Sequence, residues 1–147
     1  MSDSSGVGGT GARGKLGTAE LVIVIAGALA LVSSFLDWFD SDVFGSANAW
    51  SDRMLFPTFA WVGIFGPIMA IQIALVNFGN VDLPREVLGF TWTQIHLVLA
   101  LFCVVLTVSF LIGGEDQGIG FWLGLLASIA LLVGAVMLRN ETVGRTL

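Results

Sequence analysis

The chain has 147 residues, 56% of them hydrophobic and only 12% charged, with a mean hydropathy of +0.92. A water-soluble domain carries about one quarter charged residues, so this composition excludes an ordinary soluble globule and points to one compact apolar unit. The net charge of −5 argues against nucleic acid as a partner, and one cysteine with one histidine excludes an intramolecular disulfide and most self-contained metal sites.

Residues 1–18 are rich in glycine and serine and nearly free of large apolar side chains. Such a segment buries too little surface to offset its ordering entropy and reads as a disordered tail. Its glycines are not a phosphate nest, because no strand precedes them and no Gly-Lys-Ser/Thr triplet occurs. From Leu21 to Leu36 sixteen consecutive residues carry no charge, and Trp38 and Phe39 extend the run. The result is a first span over about residues 20–39, close to the roughly 20 residues a bilayer crossing needs. Arg13, Lys15 and Ala28-Leu29-Ala30 imitate a signal peptide. The apolar run exceeds the usual core of about 7–15 residues, so the span is read as uncleaved. Ala26, Ala30 and Ser34 fall on one face of it.

Residues 40–55 read as a loop carrying Asp40, Asp42, Asp52, Arg53 and Trp50. A second span follows over about 56–78, with Pro57 in its first turn and Pro67 predicted to kink its middle. Gly66, Ala70 and Ala74 repeat the four-residue spacing of small side chains. Asn77-Phe78-Gly79-Asn80 ends that helix, and Asp82-Leu83-Pro84-Arg85-Glu86 reads as a new helix start. The third span covers about 91–112. A tight polar hairpin at 113–118 leads to a fourth span over about 119–138, with Gly120, Gly124 and Ser128 in register. Arg139-Asn140-Glu141 closes it, and 140–147 form a short tail. The expected fold is all-α, a four-transmembrane-helix bundle occupying residues 19–139.

Counting basic residues near the spans sets the orientation. Arg13, Lys15, Arg85, Arg139 and Arg145 fall on one side and only Arg53 on the other, so both termini are expected in the cytoplasm. Trp38 and Trp122 are expected at the outer membrane boundary and Trp92 at the inner one.

Chemistry has few places to reside. Gln72 lies five residues before Asn77 on the descending second span, and His96 five residues after Thr91 on the ascending third. Both sit roughly 7–8 Å inside the same boundary, so an interhelical hydrogen bond is expected between them. A proton relay lacks a carboxylate at that depth, and haem ligation has one histidine per chain to draw on. Asp37, Asp40 and Asp42 surround the end of the first span and suit a hard cation. Their spacing matches no calcium loop, and a solvated acidic loop is the expectation. The small-residue stripes are expected to pack helices against one another, or against another membrane subunit. Cys103 falls mid-span and reads as inert filler. No Ser/His/Asp set, HExxH, CxxC or Walker motif is present. Neither a catalytic site nor a cofactor is expected.

The order of features carries a resemblance. The first span ends in Phe35-Leu36-Asp37-Trp38-Phe39, the outer loop contains Asn48-Ala49-Trp50, and Gly120-Phe121-Trp122-Leu123-Gly124 opens a last span ending in Arg139-Asn140-Glu141. Over residues 19–141 this resembles a set of uncharacterised small four-span integral membrane proteins of actinobacteria. Their first span often ends in Phe-Leu-Pro-Trp; Asp37 stands here in place of that proline. The resemblance implies a topology and a bacterial cell membrane, and no activity. The function expected from the whole is an accessory or scaffold subunit, partnered by the lipid bilayer and by other membrane subunits or copies of itself. The alternative is a small homo-oligomeric transporter or channel. Spans one and four offer mainly Ser33, Ser34 and Ser128 as polar lining, which favours the accessory role.

Overall fold

The computed structural model describes residues 15–52, 58–79, 81–84, 86–113 and 116–144. Of the expected tail over 1–18, residues 1–14 lie outside them, as do Arg53, Pro57, Arg85, Glu115 and Arg145, while its last residue, Thr18, opens the first helix. Four long helices carry the fold: α1 (Thr18–Phe35), α2 (Ala60–Asn77), α3 (Trp92–Gly113) and α4 (Ile119–Gly144). All four are long and apolar enough to cross a membrane, the architecture of a multi-pass membrane protein. The helices alternate in direction, with α1 against both α2 and α4, and α3 packed chiefly on α4. The start of α1, the end of α2 and the end of α4 meet at one end of the bundle.

The opposite end is not the plain loop expected from the sequence. There, β1 (Asp37–Ser41) and β2 (Gly45–Asn48) form an antiparallel hairpin with an irregularity between Asp37 and Phe39. Gly45, at φ 75°, occupies the left-handed conformation that glycine adopts without steric penalty. The first helix therefore stops at Phe35, four residues before the expected end of the span. The reason is local. Ser33 and Ser34 turn their hydroxyls onto the carbonyls of Ala30 and Leu31, at 2.8 and 2.7 Å. The Ser33 carbonyl takes both the Leu36 N–H (3.2 Å) and the Trp38 indole N–H (2.8 Å), and the Ser34 carbonyl accepts the Ala49 N–H (3.2 Å).

The α3–α4 connection closes over this hairpin. Asp40 N–H donates to the Asp116 carbonyl and Gly118 N–H to the Trp38 carbonyl, both at 2.9 Å, and Phe39 pairs with Gln117. At the other end, the helix expected to start near Asp82 does not form. Instead β3 (Glu86–Val87) and β4 (Phe90–Thr91) make a two-residue hairpin through Leu88 and Gly89, at φ 53° and 82°. Two consecutive positive φ values define the tight turn whose twist matches a hairpin. Leu88 is an unusual occupant of such a site.

α2 runs as one helix past Pro67, with Val62, Gly66, Met69 and Ile73 facing inward. α4 continues six residues beyond the expected end of its span, to Gly144. The core is small-grained along the helices and aromatic at the hairpin end. Gly27, Ala30 and Ser34 of α1 meet Gly63, Gly66 and Ala70 of α2. A side chain on Gly27 would collide with the Gly66 carbonyl, and one on Gly66 would start 2.8 Å from Ala30 Cβ. Helix backbones can approach this closely only where side chains are small.

Candidate functional site

Trp38 occupies the centre of the hairpin end, where it is fully buried. Its ring meets Phe59 at 5.8 Å, Phe121 at 6.0 Å and Phe110 at 6.4 Å between centroids, and Phe110 reaches Phe59 and Phe121 at 5.0 and 5.1 Å. Offset and edge-on contacts of this kind add to the burial of large rings. The Trp38 N–H is taken by a helix carbonyl, so no polar tip remains to seek water. Gly120 and Gly124 make room for it. A Cβ on Gly124 would lie 2.6 Å from Trp38 Cζ2, and one on Gly120 2.8 Å from its Cδ1. These two glycines thus cradle an indole. Ser128, buried one turn further, bonds to the Gly124 carbonyl at 2.8 Å. Trp122, about half exposed, does face outward at this level.

Ala26, Ala30 and Ser34 are buried on α1, Gly66 on α2, with Ala70 and Ala74 half-buried. Gly27 and Gly63, central to the same contact, escaped the sequence reading. A strict four-residue spacing skips them, whereas mixed steps of three and four include them.

The expected pairing of Gln72 with His96 is not made. His96 is 2% exposed, and neither ring nitrogen has a hydrogen-bond partner. It lies on the buried stripe of α3 with Ala100, Cys103 and Thr107. Gln72 is half-buried on α2, one residue off the inward row that ends in Ile73. Equal depth was not enough, because one helical residue turns the side chain by about 100° and α2 leans mainly on α1. A buried, unpaired polar atom costs about 1–3 kcal/mol. The hydroxyls of the core differ: Ser33, Thr107 and Ser128 all donate to carbonyls of their own helices.

The acidic residues do not converge. Asp37 and Asp40 are exposed on β1, opposite Asn48 and Ser46, and Asp42 is exposed in the turn beyond it. Among the described residues no group of three His, Cys, Asp or Glu side chains is placed to hold a metal ion.

Polar groups gather instead at the end that holds the termini of α1 and α4. One cavity of about 400 Å³ is bordered by Lys15, Gly17, Glu20, Asn77, Glu141 and Thr142. Within it Glu20 accepts from Gly17 N–H at 2.8 Å and from the Asn77 amide at 3.2 Å, tying the start of α1 to the end of α2. A second hollow of about 440 Å³ lies between the start of α3 and the end of α4, beside Gln94 and Arg139. The first cavity was legible only in part. Glu20 and Glu141 each stand at the outer limit of an apolar run, but nothing in their spacing says that α1 and α4 end side by side. No protein family, curated protein or solved structure matches the chain.

Proposed function

We propose that this chain is a non-enzymatic accessory or scaffold subunit of a bacterial cell membrane, with both termini in the cytoplasm, packing with a larger envelope or transport assembly. The observation that supports the reading is the interior. α1 and α2 meet backbone to backbone through Gly27 and Gly66, and the core hydroxyls bond to their own helices. Such an interior suits a rigid body that presents outer faces, here with Ile25, Val98, Val105 and Ile129 among the exposed apolar residues. The orientation is supported by the sequence, in which five basic residues flank the spans on the side expected to hold the termini and one, Arg53, on the other. Likeness to the actinobacterial four-span proteins supports the choice of membrane.

Mild detergent extraction of the tagged chain tests the role, with identification of the proteins that accompany it. Stoichiometric co-purification of a larger membrane protein is expected, and a chain that elutes alone overturns the accessory reading. In a Cys103→Ser background, Ser46→Cys is expected to react with an impermeant thiol reagent on intact cells and Asn140→Cys is not. The reverse pattern overturns the orientation. His96 favours a second reading, a homo-oligomeric transporter or channel, because an unpaired imidazole at membrane depth is a group that transport would use. A cellular phenotype that survives His96→Leu removes that alternative.

A further inference from the structure

The cavity where α1, α2 and α4 end together carries both signs of charge on its walls. A side chain begun at Gly17 would lie 3.6 Å from Glu20 Oε2 and 3.9 Å from Glu141 Oε2, so carboxylates from the first and last helices converge on one point. Lys15 borders the same space from the α1 side and Thr142 from the α4 side. Neither the Lys15 ammonium nor the Glu141 carboxylate forms an ion pair or hydrogen bond among the described residues. Glu20 keeps acceptor capacity, since each carboxylate oxygen takes two bonds and each here receives one. The volume of about 400 Å³ falls in the range of small-ligand sites, roughly 300–1,000 Å³.

We propose that this cavity binds a phosphoethanolamine group, its ammonium set between Glu20 and Glu141 and its phosphate against Lys15. The complementarity runs in both directions. A primary ammonium has three donors for the two carboxylates and the Asn77 carbonyl oxygen, and the lysine supplies the point charge that a phosphate accepts. A trimethylammonium has no donor for these oxygens, and a glycerol headgroup brings no positive charge. The cavity lies where helices long enough to span a bilayer come to an end, which is the depth of a lipid headgroup. The same group free in solution has the same chemistry, so both sources are tested. The proposal rests on the membrane reading of the four helices and is independent of the accessory role.

The test uses the full chain, purified in detergent and delipidated, with phosphatidylethanolamine, phosphatidylcholine, phosphatidylglycerol or soluble phosphoethanolamine added, and native mass spectrometry with a melting curve as readouts. Phosphatidylethanolamine is expected to be retained preferentially and to raise the melting temperature, as a ligand confined to the folded state must. Lys15→Gln is expected to weaken retention of all three lipids, whose phosphates are alike, and Glu141→Gln to lower the preference itself by about fivefold, the scale of an exposed charge pair. Arg139→Gln, beside the other hollow, is expected to leave it unchanged. Both Glu141 and Lys15 are exposed, so their variants test the site without threatening the fold. Protection by soluble phosphoethanolamine alone would support the site and assign it a free solute; protection by the lipid alone would assign it the membrane. Equal retention of all three lipids, a preference that survives Glu141→Gln, or retention unchanged by Lys15→Gln overturns the proposal. Flotation of the chain with phosphatidylcholine vesicles reports membrane embedding separately, so a failure of that reading is distinguishable.

Discussion

At the scale of single residues, His96 and Trp38 show how the same physical rule produces opposite outcomes. Each brings ring N–H chemistry into an apolar interior, where an unmet donor or acceptor is expensive. Trp38 has one donor, and the Ser33 carbonyl at the end of α1 accepts it at 2.8 Å. His96, the fifth residue of α3, is buried where no partner lies within reach, and its two nitrogens find nothing. We therefore expect His96→Leu to leave the detergent-solubilised chain as stable or more so, because a leucine removes the unmet atoms and keeps most of the volume. Gln72→Leu should add to it with coupling no larger than about 0.3–0.5 kcal/mol, the behaviour of residues that share no contact. Chemical denaturation of the two single variants and the double variant measures this directly. A larger coupling would mean that the side chains meet after all.

At the scale of elements, the hairpin end depends on matched large and small residues from different parts of the chain. The indole of Trp38 fits because Gly120 and Gly124 lack side chains, and a methyl group at Gly124 would start 2.6 Å from the ring. Gly124→Ala is expected to destabilise the chain by about 1–3 kcal/mol through overpacking. In a Trp38→Leu background, where the ring is gone, the same change should cost much less, and melting curves of the four chains test it. The four helices themselves were legible in the sequence, since each is a long run without charge and water cannot satisfy such runs. Their limits were less so. Asp37-Trp38-Phe39-Asp40 continues the apolar first span on hydropathy alone, and what ends the helix is a set of tertiary bonds to Ser33 and Ser34 from Trp38 and Ala49. Likewise Asp82-Leu83-Pro84 carries helix-start residues, but the paired positive φ angles at Leu88 and Gly89 turn the chain into a hairpin. Cavity residues such as Glu20 and Glu141 lie at opposite ends of the sequence, and only the bundle brings them together.

On the scale of the whole molecule, the two ends of the bundle are built differently. One end is sealed by aromatic rings and by backbone bonds that join α1, the first hairpin and the α3–α4 connection. The other end is polar and hollow, held between α1 and α2 by Glu20 and Asn77. The division sets the shape of the bundle at one end and leaves the proposed ligand cavity at the other.

The backbone bonds between β1 and the α3–α4 connection also constrain how the protein can be made. Asp40 N–H and the Trp38 carbonyl lie near the start of the chain, but their partners at Asp116 and Gly118 are synthesised some eighty residues later. Until then β1 presents an open strand edge, the kind of surface that recruits wrong partners. Completion of the hairpin end thus waits on the α3–α4 connection. A chain truncated at Gly113 should accordingly be degraded faster in a pulse-chase experiment than the full chain, and supplying residues 114–147 as a separate polypeptide should slow its loss. Equal half-lives would show that the first three spans need no such closure.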